Sequence, residues 1–330
     1  MDAPATATPY RVHSKVLFAL YAIIPAVALL VIADTVWFDQ GLKRHHLPSQ
    51  PDEWAFWTVI FSMPHIVASV MMMADPEYLH AYGRRMVRPV VGIIAFAIGA
   101  PFLLGTQAFF LIFAFYTMYH VLGQQFGLTL MMLGRKPDRW FSGWKWISVV
   151  ASFLIYAAIF AAAFMEREVL GHSLTGWARY AAAALLVLAT ALAWRLSRES
   201  RTTIGRWYLW ANVAMLGVCY WLWRMEYSLF VIVIPRIIHD VTAYAVYTVH
   251  DQNRNAISPK NWFYRATAFT RVPPLILCPV LSIFVAYVAL RNHLFFTSTL
   301  IYSLGLFHYY IEGFIWKRDS AHRQHVSFAV

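Results

Sequence analysis

The residues of this chain that could do chemistry are histidines, acids and one arginine set inside long apolar runs. An ionisable side chain at bilayer depth costs roughly 2.5–3.5 kcal/mol on insertion scales, so its presence there indicates a function. Histidine combined with carboxylate and amide oxygens is the donor set of a transition-metal site, and the oxygens favour iron. The residues of this kind are His65, His120, Gln124, Arg236, His239, Asp240, His308 and Glu312.

The composition is that of a protein that crosses a membrane many times. Of the 330 residues, 60% are hydrophobic and 13% are charged, and the mean hydropathy is +0.53. Soluble domains carry about 25% charged residues. Apolar runs of about 20 residues, the length of a transmembrane helix, recur along the chain. We predict an all-α polytopic membrane helix bundle, with residues 1–330 forming a single transmembrane domain and no separate soluble domain.

Ten transmembrane helices are predicted. With a cytoplasmic N-terminus, the cytoplasmic segments hold 20 of the 27 Lys and Arg residues, which is the asymmetry of the positive-inside rule. Both termini are therefore predicted to be cytoplasmic, in the inner membrane of a bacterium. The first run shows no small-residue cleavage pattern and is predicted to be an uncleaved span. The spans are 16–34, 54–74, 89–107, 108–133, 146–165, 176–195, 207–224, 227–250, 272–290 and 296–316.

The net charge of +11 indicates lipid contact rather than nucleic-acid binding. Basic residues flank the apolar runs, where they meet lipid headgroups. Membrane lipids are therefore predicted partners, and nucleic acid is not. Cys219 and Cys278 lie inside apolar runs without a CxxC pair, so no thiol-redox site is predicted.

The predicted topology places four histidines at one depth. His65, His120, His239 and His308 belong to spans two, four, eight and ten, which all run from the outside to the cytoplasm. They lie about 8 to 13 residues before the cytoplasmic ends, so at about 1.5 Å per residue their depths agree within about one and a half turns. We predict that these four side chains are metal ligands in one layer, slightly cytoplasmic of the midplane.

Two further ligand candidates share a helix face with a histidine. Glu312 stands four residues after His308, and Gln124 stands four residues after His120, so each can reach the same centre as its histidine. For Gln124 an interhelical hydrogen bond is an equally good interpretation.

Asp240 and Arg236 allow more than one role. Asp240 points about 100° away from His239 around the helix. It is predicted to bind a second ion or to accept a hydrogen bond that orients a histidine ligand. Arg236 stands four residues before Asp240 and could neutralise it in a structural ion pair. The candidate catalytic residues are Asp240, Glu312, Arg236 and His250.

His250 is predicted to act apart from the metal ligands. It lies on nearly the same helix face as His239 but about 16 Å lower, which is too far for one metal cluster. With Asp251 it is predicted to line the cytoplasmic mouth as a proton or substrate relay. His322 and His325 follow the last span and are predicted to lie in a solvated tail, although the pair could fold under the bundle and cap the site.

Short motifs surround the candidate ligands. They are Met63-Pro64-His65, Tyr119-His120 with Phe126-Gly127, His239-Asp240, and His308-Tyr309-Tyr310-Ile311-Glu312. These motifs resemble those of the Brp/Blh-type integral membrane carotene dioxygenases. The resemblance implies a polytopic enzyme whose dispersed histidines are thought to hold iron. The chain lacks the tight later histidine pair of that family, so what the resemblance implies is limited to a membrane iron–histidine oxygenase.

We therefore expect a membrane-embedded non-haem iron oxygenase, with two irons as the expected cofactor. It would use dioxygen, and an electron donor as a further partner, to oxidise an apolar substrate from the bilayer such as a carotenoid or lipid. Two alternatives stay open. One is a haem protein with histidine axial ligands, and the other is a proton-coupled transporter that uses His239, Asp240 and Arg236 as a relay.

Overall fold

The computed structural model describes residues 10–48, 55–256, 258–267, 277–284, 287, 295–317 and 320–329, and most of them are helical. The helices are α1 (Ser14–Trp37, with a 3₁₀ turn at Leu20–Ala22), α2 (Gly41–His45), α3 (Ala55–Met72), α4 (Pro76–Leu104), α5 (Thr106–Met132), α6 (Arg139–Phe160), α7 (Ala162–Met165), α8 (Leu174–Arg198), α9 (Thr203–Arg224), α10 (Ser228–Asn255), α11 (Trp262–Thr267), α12 (277–284) and α13 (Phe295–Ile315). The strands are β1 (Val12–His13), β2 (Glu168–Val169), β3 (His172–Ser173) and β4 (Phe328–Ala329).

The predicted spans coincide with helices wherever the structure describes them. The span at 272–290 lies largely outside the described residues, apart from α12. Five helices, α1, α4, α6, α8 and α10, are long and apolar enough to cross a membrane. The all-α prediction is confirmed, and these five helices indicate association with a membrane. The count of ten spans and the cytoplasmic termini stay predictions.

A single residue separates α4 from α5. Gly105 has φ +81°, in a region that glycine adopts without the steric cost that a Cβ brings. The chain therefore ends one long apolar helix and starts the next without a loop.

The described chain divides into two compact units. Unit I comprises Met1–Ser14, Phe56–Gly99 and Asp240–Val330, and unit II comprises Lys15–Ala55 and Ala100–His239. Each unit is described by itself below.

In unit II, α6 packs along α8, and α5 packs against α6 and α9. The starts of three helices carry side-chain caps, which satisfy backbone N–H groups that have no partner within the helix. Asp138 accepts from Phe141 N at 2.8 Å. Ser173 and Thr202 cap α8 and α9 in the same way. These caps account for where the helices begin.

Pro235 lies inside α10 and leaves one backbone carbonyl of unit II without its helical donor. Proline has no N–H, so the carbonyl of Val231, four residues earlier, loses its usual hydrogen bond. The Tyr156 hydroxyl donates to that carbonyl at 3.3 Å, and the Cys219 thiol approaches it at 3.7 Å. The helix therefore continues through the proline because neighbouring side chains satisfy the released carbonyl.

The start of α9 lies directly against the end of α5. Thr202 donates its hydroxyl to the carbonyl of Met132. A Cβ at Gly205 would lie 2.5 Å from that carbonyl oxygen and 2.6 Å from the backbone of Leu133. Only glycine allows two backbones to approach this closely.

The core of unit I is rich in methionine. Met71, Met72 and Met73 are buried in one cluster with residues near the ends of α10 and α13. The terminal strands β1 and β4 pair in parallel, with Val12 opposite Phe328.

A buried ion pair anchors the end of α10 to the turn before α4. Arg254 donates to Asp75 at 2.9 Å and to Glu77 at 2.5 Å. Burial by itself would raise the pKa of the Asp75 carboxyl, but the hydrogen bonds from Arg254 and from the Glu77 backbone outweigh it and hold the pKa below its ordinary value. The carboxylate is therefore charged at neutral pH.

We predict that Gly205→Ala destabilises the protein by about 1–3 kcal/mol, because its Cβ would overlap backbone atoms that cannot rotate away. The thermal unfolding midpoint in detergent measures the effect. Gly217→Ala in the same helix is the matched control, since a Cβ there meets no described atom within 4 Å. Equal midpoints for the two variants would contradict the close approach.

Candidate metal centre

Four helices each contribute one buried histidine to a single group. His65 comes from α3, His120 from α5, His239 from α10 and His308 from α13, and their side chains are between 0% and 9% exposed. Each offers one ring nitrogen, and the four nitrogens all lie within 4.8 Å of one another. The residues that the sequence placed at one depth are therefore brought together in space.

The donor set and its spacing fit a bound metal ion. Imidazole nitrogens are ligands for zinc, copper, iron and nickel. They bind at about 2.1 Å, so two nitrogens on opposite sides of one ion are about 4.2 Å apart. Four nitrogens around one tetrahedral ion are about 3.4 Å apart, so separations of at most 4.8 Å need a closure of up to about 1.4 Å.

Within unit I, Asp240 is placed to orient His65. The Asp240 Oδ1 atom lies 3.4 Å from His65 Nδ1, and Ser62 donates its hydroxyl to Asp240 Oδ2 at 3.1 Å. A histidine ligand usually donates its second N–H to a carboxylate, which fixes the ring. Of the two roles predicted for Asp240, this geometry favours the orienting one.

His308 lies next to His65, and each of its two ring nitrogens faces a polar side chain. The two rings are 4.7 Å apart at 77°. His308 Nδ1 lies 2.8 Å from Ser69 Oγ, and His308 Nε2 lies 4.0 Å from Glu312 Oε1. Tyr247 donates its hydroxyl to Glu312. The Glu312 carboxylate is therefore held beside the histidine, as its spacing in the sequence predicted.

Within unit II, His120 and His239 form a second pair, with rings 4.8 Å apart at 78°. Gln124 has a buried carboxamide oxygen, and Arg236 has a buried Nε atom. Neither atom has a hydrogen-bond partner among the described residues. Gln125 accepts from the Tyr21 hydroxyl at 2.9 Å, which is the interhelical role expected for a glutamine in an apolar helix.

His250 belongs to a separate cluster in unit I. Its ring is fully buried, with Nε2 at 2.9 Å from the Tyr78 hydroxyl and Nδ1 at 2.9 Å from Asp251 Oδ1. His250 is therefore the middle member of a hydrogen-bonded chain, Tyr78–His250–Asp251, and is not solvated. Its predicted role as a relay stays a prediction.

The prediction of a solvated tail is wrong for His322. This side chain is 0% exposed, and its ring stacks on Tyr78 at 3.8 Å and on His250 at 5.1 Å. Asn253 fastens the same segment by donating to the carbonyl of His325 at 2.9 Å. The segment is buried by aromatic stacking against residues far away in the sequence. No local sequence pattern predicts such contacts.

Sequence reasoning missed the hydroxyl groups that contact the histidines and their acids. Ser62 and Ser69 lie three residues before and four residues after His65, on the same face of α3. That spacing is the signal that could have found them. Tyr247 lies in α10 and has no comparable signal, because its partner Glu312 is in another helix.

Comparison with protein-family models, with curated proteins and with solved structures found no match to the chain. The fold and the site themselves define the class. It is an all-helical protein with helices able to cross a membrane and a buried four-histidine group that could bind a metal.

The docking of the C-terminal segment should weaken in mild acid. Burial lowers the pKa of His322 to about 2, whereas a solvated histidine has a pKa near 6.5. Docking is therefore fully favourable above about pH 6.5 and is lost progressively below it, because the undocked histidine takes up a proton that the docked one cannot. His322 alone should weaken docking about tenfold between pH 7.5 and pH 5.5.

Amide hydrogen exchange of residues 320–329, corrected for intrinsic rates, measures this shift. His322→Phe keeps an aromatic ring without the proton and should show a clearly smaller pH response. Equal responses in the two proteins would contradict the assignment to His322.

Proposed function

We propose that this chain is a membrane-embedded non-haem iron oxygenase that acts on an apolar, membrane-soluble substrate such as a carotenoid or lipid. The observation that carries the proposal is the group of four buried imidazoles with ligand atoms within 4.8 Å of one another. His65, His120, His239 and His308 would hold the iron. The bound iron would supply the activation of dioxygen and the oxidation of the substrate.

The spacing of the nitrogens favours a non-haem metal over haem. A haem iron takes at most two ligands from the protein, since the porphyrin fills its other positions. A group of four converging imidazole nitrogens offers two more protein ligands than a haem iron can take. The histidine-ligated haem protein is thus the less favoured alternative.

Nearby carboxylates support iron as the metal. Asp240 lies 3.4 Å from His65 Nδ1, and Glu312 lies 4.0 Å from His308 Nε2. Imidazoles together with carboxylate oxygens are typical of non-haem iron oxygenases. The motif resemblance to the carotene dioxygenases points the same way. Among the described residues this is the only group of three or more candidate ligands, so the proposal is confined to one iron.

The chain itself would provide a dry, preorganised setting. Residues adjacent in sequence to three of the ligands are buried and apolar, among them Ile66, Val121 and Ile238. Exclusion of water strengthens every electrostatic interaction inside such a site. An apolar substrate dissolved in the bilayer could approach without crossing water, because α10, which carries His239, is long and apolar enough to cross the membrane.

Purified protein should contain about one iron per chain, and His239→Ala should lower that content roughly tenfold or more, since even outer partners of a ligand are worth 10–100-fold in affinity. Elemental analysis measures the content. His172→Ala is the control, because His172 is exposed in β3. Equal iron in wild type and His239→Ala would overturn the proposal.

The visible spectrum of the same preparation separates the alternatives. We expect no Soret band, and a Soret band would favour the haem protein. Metal-free protein that moves a solute in a pH-dependent way in proteoliposomes would favour the transporter.

Asp240→Ala should weaken metal binding about 10–100-fold, because His65 would lose the carboxylate that orients it. Competition with a chromophoric chelator measures the dissociation constant. Asp39→Ala removes an exposed acid that pairs only with Arg44 among the described residues, and it should leave affinity unchanged. Unchanged affinity in Asp240→Ala would show that Asp240 has no part in holding the metal.

A further inference from the structure

Ser69 is a fully buried residue of α3, and its single hydroxyl proton is used in a hydrogen bond within its own helix. Its Oγ donates to the backbone carbonyl of Ile66 at 2.7 Å. A hydroxyl has one proton to donate and two lone pairs that accept. Ser69 can therefore only accept in its second hydrogen bond, the one to His308 at 2.8 Å.

This assignment decides where the proton of His308 lies. Because Ser69 Oγ accepts, His308 Nδ1 must be the donor and must carry the hydrogen. In a neutral imidazole one nitrogen carries the proton and the other presents a lone pair. The lone pair of His308 is thus on Nε2.

The Nε2 lone pair faces an acid. Glu312 Oε1 lies 4.0 Å from His308 Nε2, beyond hydrogen-bond distance, and Tyr247 donates to the same carboxylate. An imidazole lone pair and a carboxylate oxygen that face each other are two donors suited to one cation. Donors on one ion at about 2.1 Å lie up to about 4.2 Å apart, so the observed spacing fits two ligands of one ion.

We propose that Ser69 is a positioning residue of the metal centre: it sets the His308 tautomer whose Nε2 faces the Glu312 carboxylate, so that the two bind one divalent cation. The inference rests on the metal-binding part of the proposed function. It does not depend on iron or on oxygenase activity. Histidine ligands in metal sites are commonly fixed through their second nitrogen in this way.

The first arm of the test measures Cd²⁺ and Zn²⁺ affinity of the full-length protein in detergent. Ser69→Ala should weaken binding about 10–100-fold, because the ring then samples both tautomers. Ser69→Thr keeps the hydroxyl and should restore most of the affinity. Ser282→Ala is the matched control, since Ser282 is equally buried and donates to its own helix at Cys278 O, 2.6 Å away. Its affinity should equal that of wild type.

The second arm reports the tautomer directly. Protein labelled with ¹⁵N-histidine and loaded with ¹¹³Cd²⁺ should show cadmium coupling to Nε2 of His308 and a proton on Nδ1, with the signal assigned by its loss in His308→Ala. Ser69→Ala should lose this single pattern while Ser282→Ala retains it. A purely structural role of Ser69 would change stability without changing which nitrogen couples.

The outcomes separate the two proposals. Cadmium coupled to Nδ1 in wild type, or wild-type affinity in Ser69→Ala, overturns the role of Ser69 and leaves the metal centre standing. A wild-type protein that binds neither cation overturns the metal centre and the role of Ser69 together.

Discussion

A polar group that is buried away from water costs free energy unless it finds a partner, and the rest of the structure depends on that constraint. The carbonyl released by Pro235 is satisfied by Tyr156. The buried Asp34 carboxylate accepts from the Tyr227 hydroxyl at 2.7 Å and from two backbone N–H groups of α2. The apolar helices exclude water, and a small number of side chains form the hydrogen bonds that the buried polar groups need.

The same constraint applies to the four-histidine group, because each buried imidazole needs a partner at both ring nitrogens. Imidazoles in an apolar interior are stabilised when one nitrogen donates to a protein acceptor and the other binds a cation. Asp240 and Ser69 occupy the acceptor positions beside His65 and His308. The group therefore combines strong metal ligands with partners that hold them in place, which is the basis of the iron oxygenase proposal.

The histidines of a second buried cluster in unit I have partners of a different kind. His250 has Tyr78 at one ring nitrogen and Asp251 at the other, both at hydrogen-bond distance, and the ring of His322 stacks on Tyr78 and on His250. No ligand atoms converge there as they do in the four-histidine group, among the residues that the structure describes. Histidine burial alone thus does not define a candidate metal site, and closely spaced ligand atoms do.

The sequence by itself determined most of the helices and singled out the four histidines, because apolar run length and the fixed rise of a helix depend only on local order. It could not determine which side chains meet across helices. Asp240 contacts His65 in another helix, and the hydroxyl of Ser69 likewise reaches His308 in another helix. The burial of His322 likewise depends on Tyr78, far away in the chain. Only tertiary packing sets these contacts, because they depend on how each helix is rotated and on side-chain rotamers. Neither produces a periodic pattern in the sequence.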